Sequence, residues 1–194
     1  MDDIKPHHHD FIRSAFSDVT ETIRFMDAKA GAVFVLHGIV ISIALAARES
    51  LYQAIRVIFE FSLCCGILFI LLMVIALVLL LISALYLMFT IKQRINPSEA
   101  VPNELPKENL QMWFITNSNE KSEGKIATSL EDYYKNLLTQ SECAILKLEI
   151  FELLKVSFIR NKKMVHFDKA FSFFMWSTLL MVVIAVLTII VNFI

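Results

Sequence analysis

The residues with the clearest potential for binding chemistry lie at the start of the first long apolar segment, where the chain reads IRFMDAKAG. Arg24 and Asp27 are three residues apart, so they share one face of a helix and can form an ion pair. Lys29 is turned roughly 200° from Asp27 at ~100° per residue, so it faces a different neighbour. Charges at the edge of a spanning helix are costly unless they are paired or functional. These residues are therefore a candidate functional site, and the alternative is that Lys29 only anchors the helix at the headgroups while Asp27 pairs with Arg24.

Aromatic residues occur among lysines in the long polar segment that follows. They are Trp113, Phe114, Tyr133 and Tyr134, with Lys121, Lys125 and Lys135 nearby. Aromatic rings can stack on a nucleotide base while cations bind its phosphate, so Trp113 and Tyr133 are candidate ligand-binding residues. The same side chains could equally form the core of a small cytosolic domain.

Histidines occur at two places of different character. His37 lies in the middle of the first apolar segment, where it could bind a proton or ion or make one hydrogen bond across a helix interface. The neighbouring Gly38 permits close approach of another helix. The run from His7 to His9 has no acidic or cysteine partner at a ligand spacing, so we expect an exposed tail and no metal site.

No catalytic motif is present in the sequence. It contains no nucleophile elbow, no phosphate-binding loop, no zinc-protease motif and no evident catalytic triad. We therefore expect that the protein is not an enzyme and uses no cofactor. Cys64, Cys65 and Cys143 fit neither a disulfide framework nor a zinc spacing, and a net charge of −1 gives no indication of a nucleic-acid partner.

Three apolar segments are long enough to cross a membrane: residues 28–47, 61–91 and 170–194. The chain is 57% hydrophobic and 19% charged, whereas a soluble domain averages roughly 45–50% and about 25%. A spanning helix needs ~20 residues, so the second segment must tilt or project beyond the lipid. Acidic residues near the amino terminus do not fit a signal peptide, and we expect none to be cleaved.

The basic residues predict the orientation. Four lie before or at the edge of the first segment, two lie between the first and second, and twelve lie between the second and third. Lysine and arginine near span ends are enriched on the cytoplasmic side. We therefore expect the amino terminus and the long loop in the cytoplasm and the carboxyl terminus outside.

The segments outside the membrane also carry helical patterns. An apolar stripe leads into the first span at three- and four-residue spacing, formed by Ile12, Phe16, Val19, Ile23 and Met26. Further on, one face carries Glu149, Glu152 and Lys155 and the other carries Ile145, Leu148, Phe151 and Leu154. No strand pair or internal repeat stands out.

These patterns predict an all-α integral membrane bundle with three transmembrane helices and helical cytosolic extensions. Residues 1–27 form a cytosolic amphipathic helix and residues 28–92 hold transmembrane helices 1 and 2. Residues 93–169 form a cytosolic helical insert, which is the candidate nucleotide sensor. Residues 170–194 form transmembrane helix 3.

The segment FMDAKAGAVFVLHG resembles the amino-terminal signature of the Pycsar-type transmembrane effectors of bacterial antiphage defence. In that signature an Asp-x-Lys-Ala element opens the first span and a glycine follows within it. Asp27, Lys29, Ala30 and Gly38 occupy those positions. His37 departs from the pattern, because a smaller or amide residue is expected before the glycine. Near the last span, the segment from Arg160 to Lys169 is similar to a lysine-bearing segment of the same family.

The resemblance implies a sensor in the bacterial inner membrane. It would bind a cyclic pyrimidine mononucleotide, cUMP or cCMP, made by a partner cyclase during phage infection. Binding would disrupt the membrane and arrest or kill the cell. We also expect the protein to form a homo-oligomer. Lys162 and Lys163 would lie at the same membrane face as Arg24 to Lys29, so the two groups could meet around one phosphate.

Two other functions fit the sequence. The first is a constitutive small pore of the holin type, which needs no ligand site. The second is a membrane scaffold whose cytosolic helices bind a protein partner. The long insert argues against a minimal pore, but it does not separate the effector from the scaffold.

Overall fold

The computed structural model describes residues 6–92, 130–139 and 141–193, and in these ranges the chain is helical, with short breaks and no strand. The helices are α1 (Pro6–Ala46), α2 (Arg48–Phe61), α3 (Leu63–Ile91), α4 (Leu130–Thr139) and α5 (Glu142–Phe193). Three of them, α1, α3 and α5, are long and apolar enough to cross a membrane. The predicted all-α fold with three spanning helices is confirmed.

Two of the spanning helices are much longer than a bilayer requires. Helix α1 has 41 residues and α5 has 52, whereas ~20 residues cross a ~30 Å hydrocarbon core. In α5 the charged residues end at Lys169, and the remainder of the helix is uncharged. Each helix therefore continues unbroken beyond the part that is apolar enough for lipid.

The chain divides into two compact units. Unit 1 consists of Met1–Thr22 and Ile95–Arg160, and unit 2 consists of Ile23–Arg94 and Asn161–Ile194. Packing within the chain sets these limits, and it carries no information on where lipid begins. The predicted domain boundaries at residues 27, 92 and 169 therefore stay predictions.

The predicted apolar stripe of α1 is buried. Ile12, Val19 and Met26 are at most 8% exposed, and Phe16 and Ile23 are partly buried. Positions seven residues apart return to the same side of a helix that packs with a slight left-handed supercoil. The periodicity thus identified the packed face of α1 correctly.

In the first part of α5 the predicted apolar face is confirmed at Leu148 and Phe151, which are each 5% exposed, but the predicted charged face is buried as well. Glu149, Glu152 and Lys155 are 7%, 3% and 5% exposed, whereas Leu154 is 51% exposed. These buried charges are paired, because Lys155 forms an ion pair with Glu152 one turn earlier and Glu149 binds His9 of α1. Charged groups are tolerated in a packed interface when each has a partner.

His9 is not part of an exposed tail. Its Nδ1 lies 2.8 Å from Oε2 of Glu149, and Arg13 Nε lies 3.9 Å from the other oxygen of the same carboxylate. His7 and His8 are exposed, as expected. The histidine run lies within α1 from its first turn, so one of the three side chains faces α5.

The core of unit 2 is formed by α1, α3 and α5. One cluster of buried residues joins these three helices: Ala30, Val33, Leu80, Leu87, Ala170 and Phe174. Small side chains at the contact allow helices in a membrane to approach closely. Many apolar residues on the other faces, such as Leu77, Leu81 and Leu85, are more than half exposed and suit contact with lipid tails.

Helix α2 was not predicted from the sequence. It is amphipathic: Leu51, Ile55 and Ile58 pack against a second buried cluster around Phe69, while Arg56 pairs with Glu60 on the exposed side. The chain is extended at Ser62 and then enters α3. The three- and four-residue spacing of the apolar residues was visible in the sequence, but the segment is short and mixed in character.

Gly66 permits the close contact of α2 with α3. A Cβ atom at this position would lie 2.6 Å from Cδ2 of Phe59 and 2.7 Å from two further atoms of the same ring. Real carbon atoms do not approach so closely, so only glycine fits here without a shift of the ring. Gly38 is different, because nothing in the chain lies within 4 Å of a Cβ added there.

Candidate functional site

An ion pair joins α1 to α5 in unit 2. Lys163 Nζ donates hydrogen bonds of 2.6 and 2.8 Å to Oδ1 and Oδ2 of Asp27. The lysine side chain is 4% exposed, whereas the carboxylate side chain is 40% exposed. Lys163 therefore has its counter-charge inside the protein, and one side of the pair opens to the surroundings.

Small residues bring the two helices together near this pair. Ala30, one turn after Asp27, and Ala170, two turns after Lys163, are both fully buried in the same cluster. Side chains three, four or seven residues apart lie on one face of a helix. The Asp27 and Lys163 side chains therefore continue the same packed faces at a point where a charge must find a partner.

The Arg24–Asp27 pair expected as the alternative is not formed. Arg24 is exposed, and among the described residues Asp27 forms its ion pair with Lys163 instead. The spacing of Arg24 and Asp27 permits a local pair, but the packing of α1 directs Asp27 toward α5. The spacing of neighbouring residues cannot predict a partner that lies 136 residues away in the chain.

The Asp, Lys and Ala side chains of the Asp-x-Lys-Ala element each make a different contact. Asp27 binds Lys163, and Ala30 is fully buried in the core. Lys29 is exposed, and its Nζ lies 4.3 Å from the ring centroid of Phe25 on the same helix. The expectation that Lys29 faces a different neighbour from Asp27 is confirmed.

The structure does not gather all the predicted site residues at one point. Lys163 is buried, whereas its neighbour Lys162 is exposed on a different face of α5. Trp113 lies outside the described residues. Tyr133 belongs to α4, and its side chain also lies outside the described residues. Of the predicted residues, Asp27 and Lys163 are therefore the two that the structure brings into direct contact.

A group of aromatic and basic side chains between α3 and α5 was missed. The His166 ring centroid lies 6.0 Å from that of Tyr86 and 6.1 Å from that of Phe89. Lys169 Nζ lies 5.8 Å from the centroid of Tyr86, whose ring stacks on Phe173. Nδ1 of His166 is buried and has no hydrogen-bond partner among the described residues. We call these five residues the aromatic–basic cluster.

Three of the five residues of this cluster could have been predicted from the sequence. His166, Lys169 and Phe173 are spaced by three and four residues, so they share one face of α5. The two residues of α3 could not have been predicted, because Tyr86 and Phe89 lie in an uninterrupted apolar segment. Nothing in that segment distinguishes the residues that face α5 from those that face lipid.

His37 makes a hydrogen bond across a helix interface. It is 4% exposed, and its Nε2 lies 3.0 Å from Oγ of Ser83 on α3. Ser83 Oγ in turn donates a 2.7 Å hydrogen bond to the carbonyl oxygen of Ala170 on α5. One of the two roles expected for His37, a bond between helices, is therefore present.

In the part of the chain that the structure describes, the fold and the Asp27–Lys163 pair define a helical membrane protein in which an ion pair joins the helices that carry the first and last spans. The family model described as Pycsar effector protein domain matches residues 11–191. This match covers nearly the whole chain, so the protein belongs to the Pycsar effector family. No curated protein and no solved structure gives a significant match.

Proposed function

We propose that the protein is the membrane-disrupting effector of a Pycsar antiphage system, activated on its cytoplasmic side by cUMP or cCMP. Membership of the Pycsar effector family supports the defence role. The single structural observation that carries the mechanism is the Asp27–Lys163 pair, since it is an ionic contact between α1 and α5, the helices that carry the first and last spans. In this proposal the nucleotide is a signal and not a substrate, so the protein is not an enzyme.

An anionic ligand can compete for this pair. Lys163 has three N–H donors, and Asp27 accepts hydrogen bonds from it with both oxygens. The carboxylate is 40% exposed, so a phosphate can approach from that side. A phosphate that binds the ammonium takes the place of Asp27, and α1 then loses its ionic contact with α5.

The aromatic–basic cluster supplies the other contacts that a nucleotide needs. His166 is three residues from Lys163 on α5, so the two lie close together on the helix surface. Tyr86 and Phe89 present rings for stacking on a base, and Lys169 brings a second cation. Arg24, Lys29 and Lys162 carry further positive charge in the same two stretches of sequence. We therefore propose this region of unit 2 as the ligand site, ahead of Trp113 and Tyr133.

In this proposal the protein lies in the bacterial inner membrane with its amino terminus in the cytoplasm. Release of α1 from α5 would alter the packing of the spanning helices. The described helices expose long apolar faces, and Gly38 is exposed, with no atom of the chain within 4 Å of a Cβ added there. A glycine on an exposed spanning face lets a second helix approach closely. Assembly of several copies through such faces is the step that we propose to damage the membrane.

The test is membrane depolarisation in cells that express the full chain with an active pyrimidine cyclase, an inactivated cyclase or no cyclase. We expect depolarisation only with the active cyclase. Calorimetric titration of detergent-solubilised protein with cUMP, cCMP, cAMP and cGMP should then show binding of a pyrimidine nucleotide. Equal depolarisation in all three strains would instead identify a constitutive pore. Absence of both depolarisation and binding would favour the scaffold.

A further inference from the structure

An apolar groove lies between α2, the first part of α3 and the last part of α5. Its volume is about 410 Å³, which is within the range of ~300–1,000 Å³ that is typical of small-ligand pockets. Each of the three helices contributes side chains at helical spacing, including Val57 and Phe61 of α2, Leu68 and Leu72 of α3, and Leu187 and Val191 of α5. We call it the α2 groove.

The α2 groove lies at the end of the spanning helices that is far from the Asp27–Lys163 pair. Leu187 follows Lys163 by 24 positions on α5, which is about 36 Å at ~1.5 Å per residue. Nδ2 of Asn192, near the end of the same helix, donates a 3.4 Å hydrogen bond to the carbonyl oxygen of Ser50 on α2. About the thickness of a bilayer therefore separates this groove from the proposed nucleotide site.

The lining of the groove determines which part of a ligand can enter it. Among the described residues that form the groove, every side chain is apolar, because Cys65 behaves as a small apolar group. A nucleotide, a sugar or an extended peptide would leave its hydrogen-bonding groups unsatisfied here. Helices α3 and α5 are apolar enough to cross a membrane, so the groove borders lipid chains. Its occupant must therefore be apolar along the part that lies in the groove.

The polar face of α2 adjoins the groove. Arg56 directly precedes Val57 in the chain, and Glu60 directly precedes Phe61. At ~100° per residue the two charged side chains flank the α2 side of the groove, and they are 74% and 68% exposed. A spanning helix of a second copy would place apolar side chains beside these charges, which is costly in a membrane. A phospholipid instead carries a charged headgroup directly beside its apolar chains.

We propose that the α2 groove binds one acyl chain of a membrane phospholipid, and that Arg56 binds the phosphate of its headgroup. A guanidinium group has five N–H donors, and the contact of 3.1 Å with Glu60 uses the donor on Nε. The terminal N–H groups can bind a phosphate. The acyl chain contacts α2, α3 and α5 together, so the bound lipid strengthens the attachment of α2 to the spanning helices. This role does not depend on the nucleotide.

The direct test is native mass spectrometry of the full chain, purified in detergent and supplied with palmitoyl-oleoyl phosphatidylethanolamine. We expect one bound phospholipid per chain. Cys65→Phe fills the groove and should lose this lipid. Cys64 is exposed on the neighbouring position and does not line the groove, so Cys64→Phe is the matched control and should keep the lipid. Equal retention in the two variants, or no retention by the wild type, would overturn the proposal.

Thermal unfolding measures the same binding through stability. A ligand that binds only the folded state raises Tm, by ~3–6 °C in a chain of this length when the free lipid is roughly ten times its dissociation constant. The wild type and Cys64→Phe should show this gain on addition of the phospholipid, and Cys65→Phe should not. The Tm of each variant without lipid shows that it is folded. An equal gain in Cys65→Phe would place the bound lipid outside the groove and contradict the proposal.

The headgroup contact is tested with diacylglycerol, which carries the same chains but no phosphate. Arg56→Gln should weaken binding of the phospholipid ~2- to 5-fold, as expected for an exposed charge pair, and should leave binding of diacylglycerol unchanged. If Arg56→Gln binds the phospholipid as tightly as the wild type does, Arg56 does not bind the headgroup. A wild-type dimer without bound lipid that Cys65→Phe abolishes would assign the groove to a second copy and reject the lipid.

Discussion

Lys163 Nζ lies 2.6 and 2.8 Å from the two carboxylate oxygens of Asp27, although 136 residues separate them. Asp27 belongs to the Asp-x-Lys-Ala element of the first span, and Lys163 belongs to the lysine segment before the last span. The two sequence features that carry the family resemblance are therefore parts of one ionic contact. The intervening insert has to end where α5 can return to α1.

The two partners of this pair should contribute unequally to stability. Asp27→Asn leaves the buried Lys163 ammonium without its counter-charge, which costs about 1–3 kcal/mol of unfolding free energy. Lys163→Met keeps the buried stem and leaves a carboxylate that is 40% exposed, at a cost nearer the ~0–1 kcal/mol of exposed pairs. Thermal unfolding in detergent should therefore rank Asp27→Asn as the less stable protein.

The double variant is the control for that ranking. If the cost of Asp27→Asn comes from the isolated lysine, then Asp27→Asn combined with Lys163→Met should be more stable than Asp27→Asn alone. Residues in contact show such non-additive effects. Simple addition of the two single costs would show that the pair contributes no coupling energy.

Alanine at position 30 should be essential to the packing of the first span. Ala30 is fully buried in the three-helix cluster, and Ala30→Leu has to displace its neighbours at about 1–3 kcal/mol. Ala28 is exposed on the same helix, so Ala28→Leu is the matched control and should change Tm little. Similar Tm losses in both variants would place the packed face of α1 elsewhere.

Gly66 should tolerate alanine far less well than Gly38. In Gly66→Ala the new Cβ meets the Phe59 ring at 2.6 Å, so α2 must shift on α3. Gly38→Ala meets nothing within 4 Å in the chain and should gain up to ~1 kcal/mol of helix propensity. If the Gly38→Ala protein is stable but no longer depolarises the membrane, the glycine lies in a contact between copies of the chain. Cysteine cross-linking at exposed positions of α1 can then detect that contact.

Periodicity and charge predicted the elements of the fold but not their pairing. The three spans and the α1 stripe followed from apolar residues that recur at helical spacing. The partner of Asp27 did not follow, because Arg24 satisfied the local geometry and Lys163 was one of twelve basic residues after the second span. The buried face of α5 was also misjudged, since Glu149 and Glu152 are charged but find partners within the fold.

Binding of the nucleotide should depend on the aromatic ring of Tyr86. Stacking of a base on an aromatic side chain contributes about 1–3 kcal/mol, so Tyr86→Leu should weaken binding of cUMP or cCMP roughly 5- to 150-fold at ~1.4 kcal/mol per tenfold. Tyr86→Phe keeps the ring and should bind normally. Tyr52 is 71% exposed on α2, and Tyr52→Leu is the control for loss of an unrelated tyrosine. If Tyr86→Leu binds the nucleotide with unchanged affinity in calorimetry, Tyr86 is not part of the ligand site, and Trp113 and Tyr133 become the candidates.

The Asp27–Lys163 pair should hold the effector inactive until the ligand arrives. If a phosphate activates the protein by displacing Asp27, then Asp27→Asn mimics that displacement and should depolarise cells that lack a cyclase. Asp18→Asn removes an exposed carboxylate nine residues earlier on α1 and should stay silent without the cyclase. The exchange Asp27→Lys with Lys163→Asp restores opposite charges and should restore silence, although phosphate recognition need not survive the reversal. Depolarisation is compared at matched protein abundance with a potential-sensitive dye. If Asp27→Asn is silent without the cyclase and responds normally with it, the pair is structural only, and activation does not proceed through its displacement.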